Sequence, residues 1–153
     1  MDLGCYPIHA LRTLLGEEPT VQSARALYAH GVEAQAWATL AFASGVRAEI
    51  WCSMEAPAIS WDLEVIGEFG QLALSNFVAP QYGCVLRTEI HGHVSEQTVA
   101  GLPTYDAQLE HVVDVLLNGA PTLTGGADAI ANMRVLDEVR LQAMRGALEA
   151  ISL

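Results

Sequence analysis

Lysine is absent from this sequence: all seven basic residues are arginines, set against 18 acidic ones. Without lysine these residues offer no Schiff-base amine and no lysine general acid. The net charge of −11 argues against nucleic acid, whose phosphates need Lys and Arg, and against anionic lipid surfaces. Cysteine is scarce. Cys5, Cys52 and Cys84 are odd in number, far apart and outside any CxxC spacing. That argues against a disulfide framework or a cysteine zinc site, and a reducing cytoplasm is expected. No apolar run is long enough to cross a bilayer. The opening Met1-Asp2-Leu3-Gly4-Cys5 has neither the basic region nor the apolar core of an export signal. Neither GxSxG nor GxGxxG occurs. Gly125-Gly126 comes nearest to a phosphate loop, but it lacks the pattern and the following acidic partner, so it reads as a tight turn.

What is present suits one globular domain over residues 1–153: hydrophobic residues make up 52% of the chain and charged ones 16%. The 3.6-residue spacing of Ile8, Leu11 and Leu15 predicts a helix over Tyr6–Leu15, with Pro7 in its first turn and Gly16 as its stop. Gly16-Glu17-Glu18-Pro19 is the exit loop, and a strand is expected over Val21–Ala29. Strict alternation over Glu33–Phe42 and Val46–Ser53 predicts two strands with one packed face. Ala43-Ser44-Gly45 reads as the hairpin loop between them. Phe42 then pairs with Val46, and counting back sets Trp37 opposite Trp51 on the outer face, beside Gln35, Arg47 and Glu49.

Further strands are expected at Asp62–Gly67 and Gln71–Asn76 around Glu68-Phe69-Gly70, and at Cys84–Ile90 and His93–Val99 around His91-Gly92. A second helix, Tyr105–Leu117, has Thr104 as its cap, Gly119 beyond its end and Tyr105, Leu109, Val112 and Leu116 as its stripe. A third, Asp128–Leu148, places Ile130, Met133, Leu136 and Val139 near one face. Strands run together and helices flank them. The expectation is an α+β fold: one open, mostly antiparallel or mixed sheet from Val21 to Val99 with helices on one face. His91 and His93 could share one face of an extended chain, but no spacing marks a third or fourth ligand. They read as turn histidines, and no metal site is expected. His111 reads as a helix-surface residue and His30 as a strand end.

The amino-terminal segment carries the most information. Asp2-Leu3-Gly4-Cys5-Tyr6 leads into the helix, which exits through Gly16-Glu17-Glu18-Pro19. Phe42-Ala43-Ser44-Gly45, then Ile66-Gly67-Glu68-Phe69-Gly70, then Tyr105 opening a helix, then Asp128 through Leu136-Asp137 follow in order. In this the chain resembles the carboxy-terminal domain of the glucose-fructose oxidoreductase, inositol dehydrogenase and MocA family (Gfo/Idh/MocA). With Tyr6 preceded by Cys5, it looks most like the dihydrodiol and xylose-type dehydrogenase branch.

The resemblance implies the fold of that domain, akin to the carboxy-terminal domain of glyceraldehyde-3-phosphate dehydrogenase. It also implies a part in hydride transfer between a nicotinamide and a sugar, polyol or dihydrodiol. It makes Tyr6 the proton donor or acceptor, with Asp2 near the substrate or orienting the helix start. A phenol titrates near pH ~10, so it needs a positive charge close by to work near neutrality. The family draws that charge from a Lys in a Glu-Lys-Pro motif of its nucleotide-binding domain, which would precede Asp2. The chain is therefore expected to lack the half that binds NAD or NADP, and it reads equally as a truncated gene, a separately expressed domain that begins at an internal methionine, or an open reading frame of its own. No cofactor-binding residue is expected here, and no activity in isolation. Relatives dimerise through the same sheet, which makes the Trp37 and Trp51 face the expected homodimer contact. The alternatives are a non-catalytic, stand-alone binding or assembly module of the same fold, and a small metal-dependent hydrolase built on His91 and His93.

Overall fold

The computed structural model describes residues 2–151, with side chains described as far as residue 147. In chain order the elements are α1 (Cys5–Leu15), β1 (Thr20–Ala29), β2 (Val32–Ala41), β3 (Arg47–Ser53), β4 (Leu63–Gly67), β5 (Gly70–Leu74), β6 (Cys84–Ile90), β7 (His93–Val99), α2 (Thr104–Asn118) and α3 (Gly126–Ile151). A single 3-10 turn, Pro80–Tyr82, precedes β6. The chain divides into two compact units, one of Met1–Pro57 with Thr124–Leu153 and the other of Ala58–Leu123.

In the first unit β1, β2 and β3 form an antiparallel sheet in that order. The alternation read from the sequence becomes burial. Ala34, Ala36, Ala38 and Leu40 of β2 and Ile50 of β3 point to one face and are buried. Ile8 of α1 and Val135, Leu136 and Val139 of α3 cover that face and complete the core. Three alanines on β2 keep the face low, which suits helices packed directly on it. Phe42 N–H donates to the Val46 carbonyl at 2.9 Å, and Gly45 takes a left-handed φ of 89°, so the loop closes as expected. Trp37 pairs with Trp51.

The second unit holds β4-β5-β6-β7, also antiparallel throughout. His91-Gly92 joins β6 to β7 with both residues left-handed (φ 50° and 80°), and His30-Gly31 repeats that turn between β1 and β2 (φ 52° and 80°). Two positive φ values are what a two-residue hairpin of type I′ requires.

Four expectations are corrected. The strands make two sheets, three and four strands wide, where one sheet was expected. Every pairing joins strands consecutive in sequence, and the stretch between β3 and β4, which includes Pro57, forms no strand that would carry the ladder across. The stripe of α2 is not packed: Tyr105, Leu109, Val112 and Leu116 are all exposed. On α3 the buried positions are Asn132, Val135, Leu136, Val139 and Ala143, while Ile130 and Met133 are exposed, so the packed face is rotated from the one expected. Thr104 lies inside α2 rather than capping it; its hydroxyl donates to the Val78 carbonyl at 3.1 Å.

Candidate functional site

The first turn of α1 presents both sequence-derived candidates at one end of the helix. Asp2 is exposed and precedes the helix, and Tyr6, its second residue, is 47% exposed. Gly4 occupies the capping position without a side-chain bond to the helix. The Cys5 thiol donates to the Asp2 carbonyl oxygen at 3.2 Å, which ties the approach segment to the helix. Burial, reinforced by the Asp2 carboxylate, pushes the Cys5 thiol above its ordinary range, so it stays protonated and is no nucleophile near neutrality.

What holds this turn in place lies on the other side of α1. Ile8 and Arg12, four residues apart, share the buried face. The Arg12 guanidinium forks onto Glu18, with Nε at 2.7 Å from Oε2 and Nη2 at 2.6 Å from Oε1. Its Nη1 reaches Asp128 Oδ1 of α3 at 2.9 Å. His9 Nδ1 approaches the other Asp128 oxygen at 3.4 Å. Arg12 thus joins the start of α3, the middle of α1 and the exit loop. The hydrogen bond to Glu18 is the largest cause pushing the guanidinium further up, and the same bond holds the Glu18 carboxyl below its usual range. One turn along α3, Asn132 Nδ2 donates to the Cys5 carbonyl oxygen at 3.1 Å. In the same loop Glu17 accepts the Ser44 N–H at 3.0 Å, bracing the β2–β3 hairpin.

Arg12 and Asn132 were not foreseen. An arginine in an amphipathic helix reads as surface by residue type. The available signal was its place: it falls on the stripe with Ile8, with Glu18 just past the Gly16 turn.

The outer face of the first sheet is the second candidate. Trp51 is 55% exposed, and the Arg25 guanidinium lies over the Trp37 ring at 4.1 Å from its centroid. A shallow groove lined in part by Ser23, Arg25, Trp37, Thr39 and Glu49 runs along this side.

A dinucleotide has no fitting cradle among the described residues. Such a cradle needs a parallel strand, a glycine turn and a helix in succession, and all the strand pairs here are antiparallel. Gly125-Gly126 leads into α3 from a stretch without a strand before it. Among the described residues no three His, Cys, Asp or Glu side chains gather to hold a metal, and His91 instead meets the Phe69 ring at 5.5 Å. No described helix is long and apolar enough to cross a membrane.

Residues 1–73 match the family model of the GFO/IDH/MocA C-terminal domain. The resemblance read from the Asp2–Tyr6 and Gly16–Pro19 motifs is thereby borne out. Among solved structures, the chain is similar to an aldose-aldose oxidoreductase from Caulobacter crescentus complexed with glycerol, at 26% identity and a TM-score of 0.81 over 94% of this chain and 44% of that one. It is similar in fold to KijD10, a 3-ketoreductase from Actinomadura kijaniata solved with NADP and TDP-benzene, at 23% identity and a TM-score of 0.82 over 92% of this chain and 46% of that one. A dehydrogenase from Clostridium difficile shares the fold at 12% identity and a TM-score of 0.73, over 88% of this chain and 45% of that one. No curated protein sequence matches. The α+β fold class expected from the sequence is that of these structures, and the chain spans less than half of their length.

Proposed function

We propose that this chain is the substrate-binding and dimerisation part of an NAD(P)-dependent oxidoreductase acting on a sugar, polyol or dihydrodiol. The observation that carries the reading is the setting of Tyr6: a half-exposed phenol on the first turn of a helix clamped from behind, inside the stretch that matches the family model. The likeness to an aldose-aldose oxidoreductase across nearly the whole chain supports the substrate class.

In this reading the Tyr6 hydroxyl gives a proton to, or takes one from, the substrate oxygen on the carbon that changes oxidation state. Asp2 stands beside the substrate or orients the start of α1. Arg12 is committed to Glu18 and Asp128 and cannot lend its charge to a phenol. The cation that Tyr6 needs, and the cradle for NAD or NADP, belong to a nucleotide-binding half. The two units of this chain serve as one substrate-side domain, working in the cytoplasm as a homodimer joined through the Trp37 and Trp51 face.

The test is to join this chain behind a related nucleotide-binding domain and to assay aldoses, polyols and dihydrodiols with NAD and NADP. Turnover of at least one of these classes is expected. A joined protein that folds, binds NADP and turns over none of them would sink the reading. Saturable micromolar binding of NADP to this chain alone would show that the cofactor site had been assigned to the wrong half.

A further inference from the structure

We infer that Asn132 is a positioning residue for Tyr6, an inference that rests on the reading of Tyr6 given above. Asn132 is 92% buried, by its relative exposure of 8%, at the contact between α3 and α1. Its Nδ2 donates to the Cys5 carbonyl oxygen at 3.1 Å, and that carbonyl is one half of the peptide group whose other half is the Tyr6 N–H. The amide therefore grips the backbone directly at Tyr6.

Two features separate this contact from ordinary helix packing. First, the Cys5 carbonyl opens α1 and already has an N–H four residues on to accept from, so it has no need of the asparagine for its own satisfaction. Second, Asn132 Oδ1 is buried without a partner among the described residues. A buried acceptor left unpaired costs stability, and an apolar side chain of similar volume would pack the two helices without that cost. The amide also cannot turn over, because Oδ1 would then face the Cys5 carbonyl oxygen, acceptor against acceptor. Asn132 thus gives up stability to hold one peptide group in one orientation. Four residues earlier on α3, Asp128 holds Arg12 and His9, so α1 is gripped at its start and at its middle from the same helix.

The test uses Asn132→Leu and Asn132→Asp, both branched at Cγ like asparagine, the first without any donor and the second without one while its carboxyl is ionised. In this chain, with tyrosine rings labelled for NMR and the Tyr6 signal assigned by its loss in Tyr6→Phe, the variants should shift or broaden Tyr6 and leave Tyr28, Tyr82 and Tyr105 in place. In the protein joined to a nucleotide-binding half, both variants should lower kcat by ~10- to 100-fold with KM little changed, as misplacement of a reacting group does. Asn132→Leu should do so at unchanged or higher unfolding temperature, which a merely structural role would not allow. Turnover that persists in both variants but vanishes in Tyr6→Phe overturns this inference and leaves the reading of Tyr6 standing. Turnover that persists in Tyr6→Phe defeats the reading of Tyr6, and the inference with it.

Discussion

Trp37 faces Trp51 directly across the neighbouring strands β2 and β3, on the side of the first sheet away from the helices. The indoles share that side with Gln35, Arg47 and Glu49, and Trp51 is more than half exposed. Paired aromatics on an open sheet face, with charges around them, suit an interface with a second copy. Light scattering should show a dimer, and Trp37→Glu should weaken it by ~30-fold or more, the usual cost of losing a central tryptophan. A monomer at high micromolar concentration would count against the sheet face as the contact.

Arg12 is the polar hub of the first unit. Arg12→Leu would leave Glu18 and Asp128 facing each other's charge without the guanidinium. Both carboxylates are partly exposed and can regain water, so the loss should be less than for a fully buried pair, about 2 kcal/mol. Urea unfolding of the variant against the parent measures it, and an unchanged midpoint would remove Arg12 from the account of how α1 is held.

The same pair sets an acid dependence. The hydrogen bond from Arg12 holds the Glu18 carboxyl below its ordinary range. A group whose folded pKa is lowered contributes stability that is present above its unfolded value, near pH ~4.3, and is lost as pH falls through the folded value. Denaturant midpoints should therefore fall below that pH, and Glu18→Gln should flatten the fall while lowering stability at pH 7. A Glu18→Gln protein with the same acid profile as the parent would contradict the assignment.

In the second unit Gly70 opens β5 where its backbone lies against β6. A Cβ there would stand 1.9 Å from the Glu89 carbonyl oxygen, a backbone atom that cannot swing aside. Gly70→Ala should cost about 3 kcal/mol by forcing β5 and β6 apart. Thermal unfolding would show it, and a variant as stable as the parent would mean that the two strands have room to part.

Local features were legible because their causes are local. Alternation over Glu33–Phe42 places Ala34, Ala36, Ala38 and Leu40 inside, and the Ala43-Ser44-Gly45 loop sets the register that brings Trp37 to Trp51. His91-Gly92 announces a turn through residues that tolerate left-handed backbone. The division into two sheets was not legible, since period two tells which side chains share a face and not which strand lies alongside. The stripe of α2 reads as a packed face, but amphipathicity does not say what covers it, and its residues stand exposed. Asp2 and Tyr6 could be picked out only through a motif. Of the contacts that hold their helix, Arg12 to Asp128 and Asn132 to Cys5 each span more than a hundred positions, and no spacing rule reaches that far.

The central claim is that this chain brings the substrate side and the proton-transferring tyrosine to a reaction whose nicotinamide is held elsewhere. The rate of nicotinamide reduction by the joined protein, compared with its Tyr6→Phe variant on the best substrate of the panel, tests it most directly. The account predicts turnover in the parent and a loss of ~100-fold or more in kcat for the variant, with the unfolding temperature and NADP affinity unchanged. Equal rates in the two proteins would contradict it.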